Sequence, residues 1–298
     1  MSKSLWMLLA SFLFALMAVF TKLGAADFGT FELVFYRSLC GMLVILVWTQ
    51  VKGMRLSTPN VKSHFLRSFL GTFALTIWTY SLARLPLGTS MTLNYTSPLY
   101  MTLIVIALAL RQGQSVSWKM AAAVFLGFFG VTLVLQPELH AGQEVPALVG
   151  LCSGFFSALA YFQIKQLSAM REPEWRIVFY FTLFGTVWGF AGQYLSEGHY
   201  TPLTAENLPA LLGMGLCATG AQLAMTRSWG ADNLLLTSAF QYSAIIFAAL
   251  FGFAVFDDPI SLSAAAGIAV IIFAGVWATL LSKRPKKPAG TLPKTETV

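Results

Sequence analysis

Ten runs of about twenty predominantly apolar residues dominate the chain, at 5–24, 31–50, 65–83, 87–110, 116–136, 146–168, 176–195, 208–229, 234–256 and 261–281. A bilayer's hydrocarbon core is about 30 Å thick and an α-helix rises about 1.5 Å per residue, so each run can cross it. Barrel strands would alternate in polarity over about ten residues, and these runs do not, which predicts helices. Breakers and charges fill the gaps, as in Ser57-Thr58-Pro59-Asn60, Gln136-Pro137-Glu138, Arg171-Glu172-Pro173 and Asp257-Asp258-Pro259. Of 298 residues, 57% are apolar and only 10% charged, against about 25% charged in a soluble domain. A soluble globule could not cover that much apolar surface, and disorder is excluded by the same balance. The fold class expected is an all-α, multi-pass membrane protein surrounded by lipid. The first run could be read as a signal peptide cleaved near Gly24-Ala25-Ala26. Its length, and the spans that follow, predict a retained first helix.

The net charge of +7 does not point to nucleic acid, because the charges sit in short gaps and a basic tail instead of on one folded face. They orient the chain instead. With the N-terminus inside, sixteen of the nineteen Lys and Arg fall at the inner face, among them Lys52, Arg55, Lys62, Arg67, Lys165, Arg171 and Arg176. Lys22, Arg37 and Arg84 are the exceptions. Both termini are therefore expected in the cytoplasm, with Lys283-Arg284-Pro285-Lys286-Lys287 holding the tail 283–298 at anionic lipid.

The chain also repeats itself. FLFALMAVFTK at 12–22 aligns with FFSALAYFQIK at 155–165, Val34-Phe35-Tyr36 with Val178-Phe179-Tyr180, and Gly130-Val131 with Gly275-Val276. Each half, 1–138 and 146–282, holds five spans. Five is odd, so the second half is expected upside down relative to the first, giving ten transmembrane helices as two inverted five-helix repeats. Inverted repeats are an architecture of alternating-access carriers, with the substrate near the midplane between them.

These features resemble the EamA-type family of the drug/metabolite transporter superfamily. The resemblance rests on the two five-helix repeats, Phe35-Tyr36-Arg37 early in the second span, Asn94-Tyr95-Thr96-Ser97-Pro98-Leu99 in the fourth, and the Gly-Val near the end of each half. It covers roughly residues 5–281. It implies a bacterial inner-membrane exporter of amino acids, other small metabolites or drugs, and no cofactor. Where family members often carry a Glu after the fourth and ninth helices, this chain has Arg111-Gln112 and Asp257-Asp258.

No catalytic set is present. His64, His140 and His199 are scattered over the gaps, no Walker or Ser/His/Asp pattern is suitably placed, and Cys40, Cys152 and Cys217 lie in apolar runs without zinc-like spacing. Charges inside spans are costly and therefore informative. Arg37 lies about two turns into the second span, either as a two-pronged grip for a substrate carboxylate or as a structural Arg paired with carbonyls or Glu32. Glu32 is the one acid that could lie within a span, as a proton-coupling group or an outer-interface carboxylate. The fourth span is polar, and Pro98 frees the carbonyl of Asn94. Its repeat mate is Thr237–Ser243. Asn94, Gln222 and Gln241 are candidate hydrogen-bonding residues, and Trp78, Tyr95, Tyr161 and Tyr242 candidate walls of a substrate cavity. The Ser and Thr hydroxyls can equally bond between helices. The expected activity is secondary transport of a small zwitterionic or amphipathic metabolite. Multidrug efflux and a non-transporting membrane scaffold are the alternatives.

Overall fold

The computed structural model describes residues 3–24, 27–82, 84–85, 87–137, 140–196, 198–256 and 260–282. Ala25-Ala26, Glu138, Glu197, Asp257, Asp258 and the basic tail lie outside the described residues. After a 3₁₀ turn at Lys3–Leu5 come α1 (Trp6–Gly24), α2 (Thr30–Val51), α3 (Val61–Leu82), α4 (Leu87–Asn94), α5 (Ser97–Arg111) and α6 (Trp118–Leu135). The second half holds α7 (Glu144–Ala169), α8 (Glu174–Ser196), α9 (Leu208–Trp229), α10 (Leu234–Gln241), α11 (Ser243–Phe256) and α12 (Leu262–Ser282). No strand occurs among the described residues.

Among the described residues, eight helical stretches are long and apolar enough to cross a membrane; α4 with α5, and α10 with α11, each count as one. The two long helices outside that set are α3 and α8, whose first two turns carry Lys62, His64 and Arg67, and Glu174 and Arg176. The outward faces are apolar: Val47, Phe65, Leu195 and Leu262 all stand exposed. A surface of this kind is at rest in hydrocarbon and not in water. Meanwhile the interior is rich in hydroxyls. Most of them bond within their own helix, as Thr102 Oγ1 does to the Pro98 carbonyl (2.8 Å) and Thr219 Oγ1 to that of Gly215 (2.7 Å). Ser90 to Ser81 (3.3 Å) and Asn94 Nδ2 to Ser153 Oγ (3.0 Å) do link different helices.

The fourth span breaks at Tyr95-Thr96, directly before Pro98, as the missing amide of a proline requires. Its counterpart breaks at Tyr242 with no proline, and Asn233 caps the first piece by accepting from the Leu236 amide at 3.1 Å. Contacts between the halves come in exchanged pairs. Helix α1 packs on α9 and α11, while α7 packs on α3 and α5; α2 lies on α8, and α6 on α12. The α6–α12 seam is backbone-close: a Cβ at Gly130 would sit 2.8 Å from the Gly267 carbonyl oxygen, so a side chain there would force the helices apart.

Helices α2 and α8 are clasped at both ends. Past the end of α2, Thr58 Oγ1 donates to Glu172 Oε1, and Asn60 Nδ2 donates to the same oxygen at 2.9 Å. Arg176 Nη1 holds Oε2 at 2.9 Å, with His64 Nε2 at 3.5 Å. At the opposite end Glu32, near the start of α2, accepts from the Thr201 amide and hydroxyl and from the Gly29 amide at 3.2 Å. The start of each helix thus meets the end of the other, so α2 and α8 run antiparallel. Despite its burial, Glu172 is held down to about 2 by the donated hydrogen bonds of Thr58, Asn60 and Arg176 and by the Arg176 charge.

Candidate substrate chamber

A cavity of about 170 Å³ lies between the halves, walled by α1–α4 on one side and α7–α11 on the other. Both broken helices reach it at their breaks, through Asn94 and Tyr95 and through Gln241. Small residues allow the approach: a Cβ at Gly154 of α7 would meet the Leu93 carbonyl at 2.9 Å. Across the chamber Gln241 Nε2 lies 3.4 Å from Ser97 Oγ. The Tyr161 hydroxyl stands among Ser97, Ser157 and Gln241, and its ring stacks on the fully buried Trp229 at 4.9 Å. That aromatic pair belongs to the large packed core around Met7 and Trp229, which stops the cavity on the side of the α1 N-terminus. Towards the other end of α1 it continues into a mostly apolar vestibule of about 360 Å³, which shares Arg37, Trp78 and Met91 with it and extends to Lys22 and Thr30.

Seven of the sequence-predicted site residues line this chamber together: Arg37, Trp78, Asn94, Tyr95, Tyr161, Gln222 and Gln241. Two predicted residues lie elsewhere. Tyr242 is fully buried at the α10–α11 break; its ring faces Gly127 and Phe128 of α6, because the break turns it away from Gln241. Glu32 is bound into the clasp with Thr201 and does not line the chamber. No acidic side chain of the described residues pairs with Arg37, and the pairing with Glu32 weighed from the sequence is not formed.

Arg67 is a chamber residue that the sequence did not single out. Grouped there with the inner-face charges, it is buried and lines the chamber beside Phe181, its guanidinium 4.3 Å from that ring centre. The signal was present in α3: Arg67, Gly71, Leu75 and Trp78 follow one helical stripe, and all four line the cavity. Several polar atoms here are buried without hydrogen-bond partners, namely Arg67 Nε and Nη1, Trp78 Nε1, and the amide oxygens of Gln222 and Gln241. Buried polar groups are ordinarily satisfied, so this set is what a polar ligand or ordered water would complete. The wall holds two cations and no acid, with methionines Met7, Met17, Met91 and Met225 supplying adaptable apolar surface.

A lipid-facing helical bundle around a chamber with a few convergent polar groups is a multi-pass membrane protein built to move a small molecule. Comparison with known proteins agrees. Residues 1–136 match the EamA-like transporter family. It is similar to the pseudopaline exporter of Pseudomonas aeruginosa, 29% identical over 89% of this chain and 91% of the relative. It is also similar to the riboflavin transporter of Vibrio cholerae, at 26% over 96% of this chain and 97% of the relative. The S-adenosylmethionine uptake transporter of Rickettsia prowazekii is 23% identical over 94% and 92%. A crystal structure with a TM-score of 0.81 and 19% identity, covering 94% of this chain and 98% of that one, shares the fold.

Proposed function

We propose that the protein is a secondary carrier that exports a small carboxylate-bearing metabolite by alternating access, through the chamber between two inverted five-helix halves. The observation that carries the reading is Arg37: a guanidinium facing a cavity between the halves with no acid to neutralise it. A buried cation is costly unless something pairs with it, and a carboxylate matches its fork geometry.

The ten-span count is supported by the lengths of α3 and α8, 22 and 23 residues, each about 33 Å or more. The inverted relation is supported by the antiparallel α2–α8 pair, by the exchanged contacts between halves, and by the clasps. Thr58 and Thr201, each followed by proline, lie 143 positions apart, as Lys22 and Lys165 do, and each bonds a buried glutamate of the opposite half. Clasped at both ends, α2 and α8 form the seam about which the halves rock. The domains are then 1–138 and 146–282. Both termini sit in the cytoplasm of a bacterial cell whose inner membrane holds the protein. In this conformation the vestibule at Lys22 faces outward. Asn94, Gln222 and Gln241 hydrogen-bond the substrate, and Trp78, Tyr95 and Tyr161 wall it. Glu32 is engaged by Thr201 away from the chamber, so transport proceeds by exchange or facilitated flux.

Export is supported by the pseudopaline exporter's likeness, while the riboflavin and S-adenosylmethionine relatives include uptake. Multidrug efflux of apolar cations has the apolar vestibule in its favour but meets two arginines in the chamber. The test is flux in proteoliposomes. Arg37→Ala is expected to weaken transport of carboxylates at least tenfold more than that of uncharged compounds; equal losses would remove Arg37 from substrate recognition.

A further inference from the structure

The chamber has a second anion handle. Arg67 is 2% exposed, yet its Nε and Nη1 have no hydrogen-bond partner. Its position is built. Gly71, one turn later on α3, leaves the space the guanidinium occupies, and the Phe181 ring supports its face. The buried acid Glu172 is already taken by Thr58, Asn60 and Arg176. An arginine retained for structure would have been given an acceptor, since an unpaired buried guanidinium destabilises the fold. Arg37, half-buried, lines the same cavity and has no acidic partner among the described residues.

The two arginines enter the chamber from opposite membrane faces. Arg37 stands seven residues after Thr30, the start of α2, about 10 Å along the helix from that face. Arg67 stands six residues after Val61, the start of α3 on the other face, about 9 Å in. Trp78, Asn94, Gln222 and Gln241 line the same cavity as the two arginines. Two like charges without a counter-charge repel, and the arrangement is relieved most by a ligand that neutralises both.

We propose that Arg67 determines specificity and that the ligand class is a dicarboxylate: a small, elongated metabolite with two carboxylates, one gripped by Arg37 and the other by Arg67. The proposal rests on the chamber being the carrier's substrate site and adds the ligand's charge. Monocarboxylates, and amides of the same shape, would leave one guanidinium unpaired.

The experiment uses matched pairs that differ only in one carboxylate, L-glutamate with L-glutamine and succinate with succinamate. Thermal stabilisation of the purified full-length protein gives binding midpoints, and counterflow in proteoliposomes gives transport. For the wild type we expect at least one dicarboxylate to act at tenfold or more lower concentration than its amide partner. In Arg67→Gln that ratio should fall to about one, and Arg67→Lys should retain part of it. If Arg67→Gln fails to fold, the wild-type pairs and Arg67→Lys carry the test. No preference within any pair, or a preference that survives undiminished in Arg67→Gln or Arg67→Lys, overturns the proposal. Equal counterflow for both members of every pair overturns the dicarboxylate while leaving the carrier intact, whereas absence of counterflow for every compound that binds overturns the carrier.

Discussion

Replacing Glu172 with Gln tests whether the clasp between the halves contributes to stability. The carboxylate is 7% exposed and accepts from Thr58, Asn60 and Arg176. These donors depress its pKa from 4.5 to about 2, a preference for the charged form of about 3 kcal/mol at neutral pH. A glutamine keeps one acceptor oxygen but turns an amide N–H₂ towards the cluster and loses the charge that Arg176 pairs with. The expected cost is about 2–3 kcal/mol, and Thr58→Val, which removes one donor, should cost about 1 kcal/mol. The sign of the pH dependence follows from the depressed value. The contribution is complete above the unfolded value near 4.5 and is lost as pH falls towards 2. The assay is thermal denaturation of the detergent-solubilised protein between pH 7 and pH 3. Glu172→Gln should lower the melting temperature at pH 7, and the difference from wild type should shrink as the solution is acidified. An unchanged melting temperature at pH 7, or a difference that stays constant down to pH 3, would refute the reasoning.

Other consequences are direct. Gly130→Ala places a methyl 2.8 Å from the Gly267 carbonyl oxygen and should cost about 1–3 kcal/mol, read as a lower melting temperature. Tyr242→Phe removes a buried hydroxyl without a partner, so stability and flux should stay the same or rise; a tenfold loss of flux would place Tyr242 at the substrate after all. Gln222→Leu keeps the bulk but removes the amide oxygen that has no partner in the wall, and should weaken substrate midpoints severalfold while leaving the melting temperature of the ligand-free protein within about 1 kcal/mol of stability.

Span by span, most helices were legible because run length reports on the bilayer directly. The break in the fourth span was legible through Pro98. The break at Tyr242 was not, since nothing local forbids a helix across Phe240-Gln241-Tyr242-Ser243; only the repeat pointed there. The same break explains why Gln241 reaches the chamber and Tyr242, its neighbour, does not. Arg67 was hidden by its company: beside Lys62 and His64 it reads as the polar start of a span, and only tracing the stripe back from Trp78 turns it inward. The clasps could not be read at all, because Thr58 meets Glu172, and Thr201 meets Glu32, across more than a hundred residues of chain.

The claim on which the account depends is that the chamber is open to the two sides of the membrane in turn. A single cysteine at Ala18, which lines both chamber and vestibule, can report this once Cys40, Cys152 and Cys217 are replaced. The measurement is labelling by a membrane-impermeant maleimide in right-side-out and in inverted vesicles. The account predicts labelling in both preparations, slowed in each by a bound substrate. Labelling confined to one preparation, with substrate making no difference, would contradict it.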